Sequence, residues 1–245
     1  MTPSRKALIS TAAPVNEKKA VVAAGLEALR LVVESGLLRC AVPESLGGDG
    51  GSLGVLSQGA TELAERSKAA AWILWAQRTT IEALVHSPNI GLREYLLPQL
   101  LEGERAGTLP LTLGERAILA EEAGNAYRLY GHLEHVPNLQ WLGFTLLAPI
   151  QRPDRSIAWV ALRSEEDGLR AGIDHAGDFW WGSRTAPVTL EGAFFRMDEW
   201  VNEAELIDAI DPVLKALSLS VGEIGPEAAA RARTRSGSAS SKAPA

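Results

Sequence analysis

Apolar residues recur every three to four positions through the first hundred residues, which is the spacing that lines one face of an α-helix. The first such segment spans residues 16–40. Its predicted apolar face consists of Val22, Leu26, Leu29 and Val33. Gly36 is placed where a left-handed residue would end the helix, and Pro43 cannot continue it.

Three polar residues that are good helix N-caps precede further apolar-periodic segments: Ser52, Ser67 and Asn89. The predicted faces of these helices are Leu56, Ala60, Leu63 and Ala64, then Trp72, Trp75 and Thr79, then Leu92, Leu96 and Leu100. The pattern therefore predicts four helices within residues 16–102.

After Gly103 the periodicity changes from 3.6 to about two, which indicates strands. The predicted strands are Gly107–Leu113, Tyr127–Tyr130, Phe144–Ile150, Ile157–Leu162, Leu169–Ile173 and Val188–Phe195. The acidic pairs Glu121–Glu122 and Glu165–Glu166 are expected in solvated turns. Short strands separated by turn residues are typical of a barrel or sandwich.

The helical pattern returns from Glu203 to about Ala232, with its predicted apolar face at Leu206, Ile210, Val213, Leu214 and Leu217. The predicted class is α+β: an N-terminal helical domain, a middle β-barrel or sandwich domain, and a short C-terminal helical remnant. The predicted segments are a flexible N-terminus at 1–15, helices at 16–105, the β domain at 106–202, the remnant at 203–232 and a disordered tail at 233–245.

Composition narrows the function classes. Apolar residues form 46% of the chain and charged residues 22%, which is typical of a globular protein. A net charge of −6 gives no general attraction to phosphate backbones, so nucleic acid is not an expected partner. We expect no membrane association, because no apolar run approaches ~20 residues, and we expect a cytoplasmic location. The single cysteine, Cys40, agrees with a reducing compartment.

Local motifs do not identify a reaction. The glycine-rich segment VPESLGGDGGS at 42–52 matches neither common phosphate-binding spacing, which favours a tight turn between helices. His132 and His135 lie beside the run Tyr127–Gly131, in a predicted hairpin, where three-residue spacing sends side chains to opposite faces, so no metal site is expected. The tryptophans are expected mainly in the core, with stacking on a planar ligand as the alternative.

The order of these motifs resembles the acyl-CoA dehydrogenase family. The segments that carry the resemblance are GLLRCAVPESLGGDGGS at 36–52, LSQGATELAERSKAAAWILWAQ at 56–77, YLLPQLLEGERAGTLPLT at 95–112, AYRLYGHLEHVPN at 126–138 and WGSRTAPVTLEGAFFRMDEWV at 181–201. The likeness is stronger across residues 20–112 than in the middle domain.

The resemblance implies a flavin cofactor, FAD with FMN as the alternative, and an acyl-CoA-type small molecule as substrate. The family's flavin-contacting stretches correspond to LTLGE at 111–115 and HVPN at 135–138. By this correspondence the cofactor-binding residues are Leu111, Thr112, Leu113 and Asn138. Only Thr112 and Asn138 retain the family's residue types.

The family closes with a C-terminal helical bundle that supplies the catalytic glutamate, and most of that bundle has no counterpart in this chain. No catalytic residue is therefore assigned. The resemblance implies a truncated oxidoreductase component, completed by homo-oligomerisation or by a partner subunit. The alternatives are a non-catalytic binding or scaffold subunit derived from the fold, a flavin-dependent monooxygenase-like protein, and a truncated gene product without independent activity.

Overall fold

The computed structural model describes residues 15–111, 118–175, 181–196 and 199–218. The helices of these residues are α1 (Val15–Glu34), α2 (Leu53–Arg66), α3 (Lys68–Val85), α4 (Ile90–Leu101) and α5 (Leu206–Ser218). A short 3-10 turn lies at Glu44–Leu46. The four predicted N-terminal helices are confirmed.

The predicted starts of α2, α3 and α4 are confirmed at the level of single hydrogen bonds. Ser52 accepts a hydrogen bond from the Val55 amide, and Ser67 accepts one from the Ala70 amide. Asn89 caps α4 through its side-chain oxygen. Each cap satisfies an amide of the first turn that has no partner within its own helix.

The predicted apolar face of α1 is confirmed at Leu29 but not at Leu26 and Val33. Leu26 is 44% exposed and Val33 is 39% exposed. The buried stripe consists instead of Gly25, Ala28, Leu29 and Val32. Because the small residues on this stripe let α1 approach its neighbours closely, packing selects it over the bulkier stripe.

The strands are β1 (Ala106–Thr108), β2 (Ile118–Ala123), β3 (Ala126–Val136), β4 (Phe144–Gln151), β5 (Ile157–Arg163), β6 (Leu169–Ala171), β7 (Ala186–Arg196) and β8 (Trp200–Glu203). They form one eight-stranded sheet in the order β6-β7-β3-β2-β4-β5-β8, and β1 also pairs with β4. β1 and β2 run parallel to β4, whereas the other pairs are antiparallel. The predicted α+β class with a β region after the helices is confirmed.

Several strand predictions need correction. The strand predicted from Gly107 ends at Thr108, within the described residues. Glu121 and Glu122 are exposed, as expected, but they lie in β2, which pairs with β3. Glutamate is uncommon in strands, but one face of this strand lies in solvent, where a charged side chain stays hydrated. β3 also continues through Gly131, because pairing with β7 extends along the whole strand.

The buried residues form two hydrophobic clusters. One lies between the helices and also contains Leu147, Trp159 and Val201 from the sheet. The other lies within the sheet and is centred on β3, β4 and β7. α3 joins the two layers, because it contacts the other four helices and also β1.

α5 packs on α2 and α3, so the described part of the predicted remnant shares the helical core. Leu206, Ile210, Val213 and Leu217 are buried as predicted. The predicted flexible N-terminus and disordered tail lie almost entirely outside the described residues, as do residues 219–232 of the remnant. None of the helices that the structure describes is long and apolar enough to cross a membrane.

Candidate functional site

The two stretches predicted to contact a cofactor are joined by a backbone hydrogen bond. The chain leaves β1 at Thr108 and reaches Leu111, whose amide donates to the carbonyl oxygen of His135 at 3.0 Å. Leu111 is half-buried and packs against the helical cluster. Thr112 and Leu113 lie outside the described residues. The structure therefore brings the 111 and 135–138 stretches together at one end of β3.

Asn138 lies where the chain leaves β3 and turns toward β4. It is 0% exposed and has a φ of 62°, a left-handed conformation that asparagine tolerates better than most residues. Its amide donates to the Ser183 carbonyl at 2.9 Å. Its side-chain Nδ2 donates to the Gly107 carbonyl and to Gln77 Oε1, both at 2.9 Å.

The Asn138 side chain is consequently part of the protein interior. Its Oδ1 accepts a hydrogen bond from Gln140 Nε2 at 3.1 Å. Gln140 Nε2 also lies 3.4 Å from the Gly25 carbonyl oxygen of α1. Asn138 thus connects the sheet to the helices and fixes the backbone of the predicted cofactor stretch.

Gln77 is the residue of this site that sequence reasoning missed. It is fully buried on α3 and its Oε1 accepts from the Gly107 amide at 2.6 Å as well as from Asn138. Its Nε2 donates to the carbonyl oxygens of Leu100 and Arg105 at 2.8 and 2.9 Å. The available signal was the polar run Gln77–Thr80 in the middle of an otherwise apolar helix, since buried polar residues need partners.

His175, which follows β6, lies against the same end of β3. The rings of His135 and His175 stack with their centroids 4.6 Å apart, and His175 Nε2 lies 2.8 Å from the Glu134 carbonyl oxygen. Asp174 forms an ion pair with Arg184. Burial raises the pKa of Asp174 above the usual aspartate value, while the neighbouring Arg184 opposes that rise.

The histidine pair of β3 does not converge. His132 is exposed and bonds to Thr189 Oγ1 at 3.0 Å, whereas His135 faces His175. Among the described residues, no group of three or more histidine, cysteine, aspartate or glutamate side chains could hold a metal ion. Ser183 is also buried, with its hydroxyl 2.8 Å from Thr185 Oγ1, and so is not placed as a nucleophile.

The glycine-rich segment at 42–52 folds as a self-bonded turn. Its amides donate to its own carbonyl oxygens or to those just before it: Gly47 to Glu44, Gly48 to Pro43, Asp49 to Arg39 and Gly50 to Val42. Gly47, Gly50 and Gly51 have positive φ values of 83°, 64° and 88°. These donors are turned inward, which agrees with the predicted tight turn rather than with an anion cradle.

The tryptophans divide into two groups. Trp72, Trp75 and Trp159 are buried, and the first two meet edge to face with centroids 6.2 Å apart. Trp141 and Trp181 are 75% and 47% exposed. Core placement is thus correct for only part of the set, and Trp180 lies outside the described residues.

A groove of about 340 Å³ lies between the first half of α4 and residues of β5 and the end of β7. The residues that line it are Asn89, Gly91, Leu92, Tyr95, Leu96, Ala161, Arg163, Arg196 and Glu199. Arg163 is paired with Glu166 at 3.0 Å, and the Arg196 guanidinium lies 5.9 Å from the centroid of the Phe194 ring. None of the residues predicted to bind the cofactor is among those that line this groove.

No protein-family profile matches this sequence, and no curated protein matches it. Solved structures do resemble its fold. Butyryl-CoA dehydrogenase from Megasphaera elsdenii has a TM-score of 0.64 at 15% identity, over 82% of this chain and 66% of the other. A glutaryl-CoA dehydrogenase from Mycobacterium smegmatis in complex with FADH2 has a TM-score of 0.68 at 17% identity, over 83% and 55%.

The prolyl acyl carrier protein oxidase AnaB has a TM-score of 0.64 at 14% identity, over 90% of this chain and 69% of the other. The chain has the acyl-CoA dehydrogenase fold, and the resemblance found in its sequence is confirmed at that level. It spans from 55% to 69% of the length of these three proteins.

Proposed function

We infer that this chain is a flavoprotein component of an acyl-CoA dehydrogenase-like oxidoreductase that acts on an acyl thioester. In this proposal FAD lies against the stretch that begins at Leu111 and continues through Thr112 and Leu113. Further helices of the fold that have no counterpart among the described residues are proposed to come from a second copy of the chain or from a partner subunit. The solved proteins of the same fold with FADH2, a CoA substrate or a carrier-protein substrate in their names support this choice.

The observation that carries the proposal is the 3.0 Å hydrogen bond between Leu111 N and His135 O. It joins the two separate stretches of the sequence that the family resemblance assigns to the cofactor. The Asn138 side chain is already hydrogen-bonded in the interior. The 138 stretch would therefore contact a flavin through its backbone and not through that side chain.

The roles of the individual residues follow from this geometry. Asn138 and Gln77 are positioning residues, since they hold the 107 and 138 backbones to α3 without facing a ligand. Thr112 is the side chain proposed to contact the flavin. A bound flavin would supply hydride acceptance, and the base that removes the α-proton is proposed to come from the completing subunit.

Flavin titration tests the cofactor. Adding FAD to the purified full chain is expected to quench flavin fluorescence saturably and to shift the flavin absorbance bands. Thr112→Val should raise the Kd for FAD about tenfold, which corresponds to the loss of one hydrogen bond. Thr61→Val is the matched control, because Thr61 is exposed on α2 and its hydroxyl donates to Ser57 O of the same helix. A wild-type chain that leaves FAD fluorescence unchanged would refute flavin binding.

A scaffold role is the second candidate, and the exposed tryptophans favour it. Trp141 and Leu142 follow Gln140, which contacts Gly25, and Trp181 precedes Gly182, which lies against Ala24. Each exposed side chain is thus one or two residues along the chain from a contact with the same turn of α1. Large apolar patches exposed on the surface of a protein often mark interaction sites. The proposed occupant is a second copy of this chain.

Self-association is testable by light scattering coupled to size-exclusion chromatography. The wild-type chain is expected to form a dimer or larger oligomer, and Trp141→Ser should shift it to monomer by weakening association at least tenfold. Val55→Ser serves as the control, since Val55 is an apolar residue on α2 that is 59% exposed. A wild-type protein that stays monomeric at high micromolar concentration contradicts this surface.

A further inference from the structure

The groove between α4, β5 and the end of β7 takes no part in the proposed flavin site. Its volume of about 340 Å³ falls within the range of small-molecule sites, which is ~300–1,000 Å³. Three separate segments of the chain line it, so its shape depends on the tertiary fold and not on one loop. Small-molecule sites usually combine an apolar lining with a few polar groups, and this groove has both.

The apolar part of the groove comes from α4 and β5. Leu96 and Ala161 line it and are buried. Leu92 adds a half-buried side chain one turn before Leu96 on the same face of α4. Tyr95 also lines the groove and is 57% exposed, so its ring is available for contact. These side chains suit the apolar body of a ligand.

Two arginines from different strands bring positive charge to the groove. Arg163 ends β5 and is held by an ion pair with Glu166 at 3.0 Å. Arg196 ends β7, and its guanidinium forms no ion pair with the residues that the structure describes. Because β5 and β7 are not neighbours in the sheet, the fold and not strand pairing brings both cations to one groove.

Glu199 limits how much negative charge the groove accepts. It lines the groove, and its Oε2 accepts a hydrogen bond from the Arg196 amide at 2.9 Å. This carboxylate would repel a ligand that carries two negative charges more strongly than a ligand that carries one. The groove therefore favours a single negative charge over a phosphate group.

We propose that this groove binds a small monocarboxylate with an apolar body, which places its carboxylate on Arg196 and its body over Leu96 and Ala161. A carboxylate matches the planar fork of a guanidinium and can accept two parallel N–H bonds. Arg163 adds a second positive charge at the same groove. None of these residues lies in the proposed flavin stretches, so the site can fail or succeed whatever the flavin titration finds.

The probe for this site is para-fluorobenzoate, which joins one carboxylate to a flat apolar ring. Fluorine NMR line broadening of the probe, titrated with the full chain, gives its Kd. Saturable binding is expected, and para-fluorobenzamide, which lacks the charge, should bind about tenfold more weakly. The dianionic para-fluorophenyl phosphate should bind roughly threefold or more weakly because of Glu199. Equal or tighter binding of either analogue overturns the carboxylate assignment.

Arg196→Met tests the cation. It keeps an unbranched side chain and removes the charge, so the Kd for para-fluorobenzoate should rise about tenfold. Arg170→Met is the matched control, because Arg170 is an exposed arginine of β6 that does not line the groove. Its Kd should stay at the wild-type value. If Arg196→Met also binds as the wild type does, the proposal is wrong.

Gly91→Leu tests the groove itself and leaves every charge in place. Gly91 lines the groove one turn before Tyr95, and an added Cβ would lie in open space, 3.9 Å from Asn89 Oδ1. Leucine also favours a helix more than glycine does, so the variant should fold, which circular dichroism verifies. We expect saturable binding of para-fluorobenzoate to be lost.

Gly54→Leu is the matched control for the blocked groove. Gly54 is the second residue of α2, as Gly91 is of α4, and an added Cβ there would lie 3.6 Å from Ser52 Oγ. It does not line the groove, so this variant should bind as the wild type does. Wild-type affinity in a folded Gly91→Leu chain would overturn the proposal.

Discussion

Gln77→Leu is expected to lower the free energy of unfolding by about 4 kcal/mol, because leucine fills the space but supplies neither a donor nor an acceptor. The Gly107 amide and the Arg105 carbonyl would lose the partners that Gln77 provides. Leu100 O and Asn138 Nδ2 would keep other partners, namely the Glu102 amide and Gly107 O. Urea unfolding of the full chain measures the difference.

Gln58→Leu is the matched control for this substitution. Gln58 is exposed on α2 and its Nε2 donates to the exposed Glu62, so the same change there should alter stability by no more than about 0.5 kcal/mol. If Gln77→Leu and Gln58→Leu were equally stable, the network between α3, β1 and the 138 turn would not hold the two layers together.

A second variant separates hydrogen bonding from volume at the same position. Gln77→Glu keeps an oxygen for Gly107 and Asn138, but an ionised carboxylate cannot donate to Leu100 O and Arg105 O. Burial raises the pKa of such a carboxyl above its unfolded value, so its protonated form is the one favoured by folding. The stability of this variant relative to wild type should therefore improve as the pH falls.

Gly48→Ala is expected to lower the free energy of unfolding by about 3 kcal/mol or more. A Cβ atom at this position would lie 2.5 Å from the carbonyl carbon and Cβ of Val42, and closer still to the Val42 carbonyl oxygen. Val42 is fully buried, so the backbone it belongs to has little room to move. Urea unfolding followed by circular dichroism gives the value.

Two neighbouring glycines provide controls that separate steric overlap with Val42 from backbone strain. Gly51 has a φ of 88° and open space at its Cβ position, so Gly51→Ala should cost only about 1–2 kcal/mol of backbone strain. Gly54 lies in α2, with Ser52 Oγ the nearest atom at 3.6 Å, so Gly54→Ala should stabilise the chain by about 0.5–1 kcal/mol. A loss at Gly48 no larger than that at Gly51 would mean that the close approach to Val42 does not fix this turn.

Flavin binding links the predictions about Gln77 to the proposed function. Gln77 does not face a ligand, but it holds Gly107 and Asn138, which lead into both candidate cofactor stretches. Under conditions where Gln77→Glu remains folded, its Kd for FAD should rise while that of Gln58→Leu stays at the wild-type value. This comparison separates positioning of the cofactor stretch from general stability.

The sequence by itself determined the features that depend on a few neighbouring residues. Ser52, Ser67 and Asn89 were predicted as caps because a cap is a bond between a side chain and an amide three residues later. The tight turn at 42–52 was predicted for the same local reason, since glycine alone adopts positive φ without strain. The order of such elements was also enough to indicate the fold.

Features that depend on distant residues were decided only by the tertiary structure. Two stripes of α1 are apolar, and packing against its neighbours selected Ala28, Leu29 and Val32. β2 was not predicted because its acidic residues become acceptable only when β3 pairs beside it and one face stays in water. β8 is four residues long, too short to carry a period of its own.

At the candidate site, too, some features were predicted from the sequence and others depended on the tertiary structure. Sequence order assigned Leu111, Thr112, Leu113 and Asn138 to a cofactor, and the cofactor role remains a proposal. That Asn138 turns inward to Gln77, 61 residues earlier, follows from the contact between α3 and β1. The groove beside α4 has the same origin, because only the fold brings α4, β5 and the end of β7 together.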